Sequence, residues 1–189
     1  MARFGKEIYL FGGIDNSGSY LNDLYSLDEK MTWRWVRAKG EVPEMRAFHS
    51  MDVIAGLIWV FGGCAFKKYF NDTKVLDPST RIWASLPSLN GTEFEHPSPR
   101  YSHSTAVIDS NLLMLYGGCS GATIYHDVWV LDTDTKTWIS IPTPIQLERA
   151  HRHTMTVLPG ETGREVFVLG GESGTGYIDE STLLRNFGE

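Results

Sequence analysis

The sequence predicts an all-β chain assembled from four related units, each about fifty residues long. Three recurring markers carry that prediction. An apolar run ending in Gly-Gly occurs four times: IYLFGG (8–13), IWVFGG (58–63), LMLYGG (113–118) and VFVLGG (166–171). The leading glycines Gly12, Gly62, Gly117 and Gly170 are spaced by 50, 55 and 53 residues. Leu-Asp follows the first three pairs, in LYSLD (24–28), TKVLD (73–77) and VWVLD (128–132), and a tryptophan comes five or six residues later, at Trp33, Trp83 and Trp138. Upstream of the second and third pairs stand RAFHS (46–50) and RYSHS (100–104); RAHRHT (149–154) precedes the fourth, shifted by one residue.

Each unit reads as four short strands. Arg-x-x-His-Ser opens the first, the Gly-Gly run is the second, the Leu-Asp run is the third, and the tryptophan segment is the fourth. The second and third are nearly continuous apolar runs of four to six residues, the pattern of strands buried on both faces. DPSTRIW (77–83) and DTDTKTW (132–138) supply the turns before the fourth strand, since Asp, Pro, Ser and Thr suit tight turns. No segment of ten or more residues keeps a helical period with caps. Four-stranded antiparallel units buried on both faces must stack sheet on sheet, as the blades of a β-propeller do.

Taken together, Arg-x-x-His-Ser, the apolar run with Gly-Gly, the Asp before an apolar Leu-Asp run and the later tryptophan resemble kelch repeats. The resemblance covers essentially the whole chain and implies kelch-type β-propeller blades: a partial first blade over 1–42, full blades over 43–96 and 97–148, and a partial fourth over 149–189. The first strand of the first blade is expected to be missing, because RFGKEIYLFGG already belongs to the second strand. In the fourth unit a third strand is expected in ESTLLR, without a Leu-Asp or tryptophan. Kelch propellers typically have five to seven blades, so the resemblance implies an arc of a larger propeller. A closed ring of four blades and a ring completed by a second copy stay open as alternatives.

Composition narrows function. Net charge is −6, which speaks against general affinity for nucleic acid or an anionic membrane surface. The N-terminal apolar run of four residues falls short of the about 7–15 of a secretory signal and the about 20 of a spanning helix. With two cysteines there is no disulfide framework, so a cytoplasmic setting is expected and the Asn71 and Asn90 sequons are read as chance matches.

The stretch YGGCSGATIYHDVWVLD (116–132) gathers Cys119, Ser120, His126 and Asp127 around glycines, the residue types of acyl-transfer chemistry. The repeat supplies an internal control. Cys119 matches Cys64, Ile14 and Glu172; His126 matches Asn71 and Asn22; and Asp127 matches Asp72 and Asp23. The aspartate therefore belongs to the scaffold, where it can tie off turn backbone, and no catalytic residue is assigned. GGESGTG (170–176) lacks the Lys and the helix of a phosphate loop. His49, His103 and His153 share one strand position and are expected to hydrogen-bond within their blades. His96, His126 and His151 lie on separate loops without paired metal-ligand spacing, so neither metal nor cofactor is expected. Cys64 and Cys119, on adjacent blades, should lie beyond the roughly 7 Å Cα limit for a disulfide.

What remains is a face of variable loops. It is built from 14–21, 64–70, 119–126 and 172–178 between second and third strands, and from the connections 37–45, 86–99 and 141–148. CAFKKYF (64–70) combines aromatic area with charge in Phe66, Lys67, Lys68 and Tyr69, as binding anchors do. Tyr125 and His126 occupy the corresponding loop of the next unit. Arg46, Arg100 and Arg149 enter the first strands from this side and could bind a carboxylate bidentately, or instead hold blades together. The expected function is a non-enzymatic adaptor or scaffold that binds a protein or peptide, with Arg46, Phe66, Lys67, Lys68, Tyr69, Arg100, Tyr125, His126 and Arg149 as its contact residues. The competing class is a kelch-fold enzyme with a metal or carbohydrate site near the propeller axis. Oligomeric state is not legible.

Overall fold

The computed structural model describes residues 1–86, 96–142, 150–160, 164–177 and 181–184. Every regular element among them is a strand. The first sheet orders Ala2–Phe4, Glu7–Ile14, Tyr20–Leu27 and Trp33–Trp35 side by side, all antiparallel. The second contains Ser50–Ile54, Leu57–Phe61, Thr73–Asp77 and Ile82–Ser85, and the third Ser104–Val107, Leu112–Tyr116, Val128–Asp132 and Thr137–Ile141. The fourth pairs Thr154–Pro159, Arg164–Leu169 and Ser181–Leu184, the last lying within the ESTLLR stretch.

Two expectations change. The first blade does not lack its first strand: Ala2–Phe4 pairs with Glu7–Tyr9 through a turn containing Gly5 at φ +57°, the left-handed conformation that favours glycine. The strand is present and spans three residues. Lys39–Gly40 lies within the stretch counted as the first unit, yet it pairs in parallel with Ile82–Trp83 at the outer edge of the second sheet. That part of the connection covers a sheet edge, which would otherwise present unpaired backbone groups.

The core lies between sheets. Successive strand residues point to opposite faces, so Ile58 and Val60 pack towards the first sheet with Tyr9, Phe11 and Leu24. Trp59 and Phe61, from the same strand, pack towards the third sheet with Leu113, Leu115 and Leu131. Met114 and Tyr116 then meet Met155, Val166 and Val168 of the fourth. This is why the second strands read as continuous apolar runs: both faces are interior.

The residue before each Gly-Gly pair locks one sheet to the next. Phe11 lies 5.6 Å from the His49 ring and 5.3 Å from Trp83; Phe61 lies 5.3 Å from His103 and 4.9 Å from Trp138. Trp83 and Trp138 are accordingly buried. At the two ends of the arc the same positions have no neighbouring sheet among the described residues. Trp33 is 47% exposed and Leu169 45% exposed, so the sheets do not close on themselves.

Candidate functional site

Gly-Gly sets the geometry of the loop face. Gly62 and Gly117 adopt φ +63° and +62°, and a Cβ there would stand 2.7 Å from the Arg100 carbonyl and 2.4 Å from the Ala150 carbonyl of the following sheet. Glycine is therefore required twice over, by dihedral and by space. Beyond each pair the chain forms a small hairpin: Cys64–Ala65 with Lys68–Tyr69, Cys119–Ser120 with Thr123–Ile124, and Glu172–Ser173 with Gly176–Tyr177. Ala47, Tyr101 and His151 bridge to Cys64, Cys119 and Glu172, tying each hairpin to the entry of its own first strand.

Arg46 and Arg100 are not available to a partner, which corrects the expectation that they contribute to the contact surface. Both side chains are fully buried. Arg46 donates to both Asp72 carboxylate oxygens at 2.7 and 3.0 Å and to the Gly62 carbonyl at 3.0 Å. Arg100 does the same to Asp127 at 2.6 and 2.8 Å and to the Gly117 carbonyl at 3.0 Å. Each guanidinium also lies over an aromatic ring, Phe70 at 4.0 Å and Tyr125 at 4.1 Å. The recurring aspartate thus holds an arginine side chain rather than turn backbone. Burial alone would raise the Asp127 carboxyl, but the hydrogen bonds and charge of Arg100 outweigh it and hold the group below the usual carboxylate range.

The fourth unit departs from this plan. Gly13, Gly63 and Gly118 donate their N–H to the carbonyls of Arg46, Arg100 and Ala150 at 2.9, 2.9 and 2.8 Å, so Ala150 stands where the arginine belongs. Arg149 lies outside the described residues.

No nucleophilic site assembles around Cys119. Its thiol is buried, and burial pushes it above the ordinary range, the reverse of what an attacking thiolate needs. Asp127 is engaged by Arg100 and by the indole N–H of Trp129 at 2.7 Å, while His126 is exposed. The buried His103 and His153 pack against the last aromatic ring of the preceding sheet's second strand, Phe61 at 5.3 Å and Tyr116 at 4.9 Å. Burial holds His153 down at about 4 and His49 at about 3, so these imidazoles are neutral near pH 7. Among the described residues no three His, Cys, Asp or Glu side chains converge as metal ligands.

Of the predicted contact residues, Phe66, Lys67 and Lys68 come together. With Asn22, Glu44, Met45, Ala65 and Phe70 they line a groove of about 750 Å³ between the hairpins of the first two sheets. Phe66 is 71% exposed and sits at φ +53°, where the third sheet has Gly121 at φ +60°. A bulky residue in that conformation is strained by about 1–3 kcal/mol, and its ring reaches across to Tyr20 at 5.1 Å. Lys68 pairs with Glu44 at 2.7 Å on the surface, and the Lys67 ammonium makes no ion pair among the described residues. Tyr69 turns from the groove to stack on Tyr101 at 5.5 Å and 11°. Tyr125 is committed to Arg100.

Sequence reasoning overlooked Met45 and Phe48, which are 43% and 51% exposed on this face. Phe48 has φ +58°, matching Ser102 and Arg152 at the same step of their units. Its signal was a phenylalanine at a position where the other units place polar residues.

Antiparallel sheets joined flank to flank, with Gly-Gly seated on the next sheet and a buried Arg–Asp pair beneath the hairpins, define a kelch-type β-propeller arc. The chain belongs to the kelch-repeat family: the KLHDC2/KLHL20/DRC7 Kelch-repeats domain matches residues 1–175. The dynein alpha chain of the flagellar outer arm from Chlamydomonas reinhardtii is 30% identical over 164 residues, covering 83% of this chain and 4% of that protein. Host cell factor 1 from Homo sapiens is 31% identical over 192 residues, covering 88% and 9%. Acyl-CoA-binding domain-containing protein 5 from Arabidopsis thaliana is 31% identical over 185 residues, covering 96% and 28%. The chain thus spans less than a third of each of these relatives.

Proposed function

We propose that the chain is a non-enzymatic recognition module that binds a protein or peptide segment on its loop face, with the groove beside Phe66 as the principal contact. One observation carries the reading. A large apolar side chain is held exposed, in a strained backbone conformation, at the mouth of a groove lined by Met45, Ala65 and Phe70. Strain of this kind persists where the surrounding structure fixes it and is concentrated at binding sites. Phe66 supplies desolvated aromatic contact, Lys67 an unpaired cation for a partner carboxylate, and the hairpin ladder keeps both preorganised. His126 extends the face over the third sheet. Nucleic acid and membrane are not the partners in this reading, and the two free, buried thiols suit a reducing cytoplasmic setting.

Peptides selected from a random library on the purified chain, then titrated by calorimetry, test the proposal. Replacing Phe66 and Lys67 together by alanine is expected to weaken the selected ligands by about tenfold or more while leaving thermal stability unchanged or raised. Equal binding by the double variant contradicts the assignment. A stoichiometric, tightly held copper or iron ion in purified protein would favour the competing enzyme reading.

A further inference from the structure

Resting on the loop-face reading, we infer that the groove beside Phe66 takes an acidic peptide segment, and that Glu44 holds the place of the segment's carboxylate until it arrives. Lys68 Nζ lies 2.7 Å from both carboxylate oxygens of Glu44. Both residues line the groove, so the entry to the second sheet is clipped to the hairpin of that sheet at the groove rim.

Two charge pairs meet here, and they differ in what can be exchanged. Arg46 and Asp72 form a bidentate pair whose guanidinium is fully buried and also donates to the Gly62 carbonyl. Opening that pair would leave an enclosed charge without a partner. The side chains of Lys68 and Glu44 are 58% and 63% exposed, so their pairing contributes little and water takes up either end when it opens. An incoming carboxylate that replaces Glu44 keeps the Lys68 ammonium satisfied and releases Glu44 to solvent. The Phe70 ring, its centre 5.1 Å from that ammonium, helps to station it at the rim.

Charge and apolar area together select the segment. On a chain whose net charge is −6, the groove sets the ammonium groups of Lys67 and Lys68 against the carboxylate of Glu44. Lys67 makes no ion pair among the described residues, so displacing Glu44 leaves two cations facing the ligand. Beside them Phe66 and Met45 are exposed and Phe70 forms a buried floor, which asks for a large apolar side chain next to the carboxylate. In an extended segment, residues two apart share a face at a spacing of about 7 Å. The matching ligand is therefore an extended segment with Asp or Glu within two residues of an aromatic or aliphatic anchor.

The test takes the library peptides whose binding depends on Phe66 and Lys67, and titrates each with its Asp and Glu residues kept or replaced by Asn and Gln. Acidic residues beside an apolar anchor should recur among them. Neutralising the carboxylate should weaken binding to the unaltered chain about fivefold or more, by a factor that shrinks as salt is raised. Glu44→Gln should tighten the acidic peptides about two- to fivefold and leave the neutralised ones unchanged. The gain should vanish when Lys68→Gln is added to Glu44→Gln. Groove-dependent peptides without acidic residues, or acidic peptides that bind Glu44→Gln no better than the unaltered chain, overturn this inference and leave the loop-face reading standing. Selected peptides indifferent to Phe66 and Lys67, or a selection that yields none, overturn both.

Discussion

Arg100 and Asp127 show how a residue that looks functional can be structural. The guanidinium is fully buried and the carboxylate about one-third exposed, so the pair is neither a surface ion pair nor a wholly desolvated one. Removing one partner leaves the other charge enclosed, which costs about 3–5 kcal/mol in buried settings and somewhat less here, where water reaches the carboxylate. We predict that Asp127→Ala lowers stability by about 2–4 kcal/mol, measured by urea unfolding, without altering the affinity of a loop-face ligand. A stable variant with lost binding would return these residues to the recognition surface. The partnership was not legible in the sequence, because Arg46 and Asp72 are separated by 26 residues and Arg100 and Asp127 by 27. Motif alignment likewise favoured Arg149, whereas the backbone bonds place Ala150 at that step.

At the scale of the element, the second strand with its Gly-Gly end is the unit that organises everything else. Its alternating residues feed two cores, its last aromatic meets the next sheet's histidine and tryptophan, and its glycines seat that sheet's entry carbonyl. Much of this was legible. Continuous apolar runs announced strands buried on both faces, and the recurring Gly-Gly announced where each second strand ends. The hairpin's use was less so, because exposure at Phe66, Met45 and Phe48 depends on neighbouring units that no local pattern encodes. Two glycines with the same dihedral separate strain from packing. Gly117 has φ +62° and a carbonyl 2.4 Å from its would-be Cβ; Gly121 has φ +60° and only the Tyr69 hydroxyl, at 3.7 Å. Gly121→Ala should cost about 1–2 kcal/mol from the dihedral alone. Gly117→Ala should cost visibly more and lower the melting temperature further; equal losses would mean that the seat against Ala150 is unimportant.

For the whole molecule, the arc combines a rigid interior with a variable face. Sheets lock through Phe11, Phe61 and Tyr116, while the hairpins above them carry different residues in each unit. That division explains why the stretch around Cys119 imitates an active site: its glycines and aspartate are repeat scaffold, and its remaining residues form one loop of the face. The half-exposed Trp33 and Leu169 mark the flanks where the locking pattern is left open. The central claim, that recognition belongs to the hairpins and not to the sheet edges, is tested most directly by amide chemical-shift mapping with a library-selected peptide. Shifts are expected to concentrate in 44–48, 64–70 and 119–126, with 39–40, 82–85 and 137–141 unmoved. A footprint centred on those outer strands would contradict it.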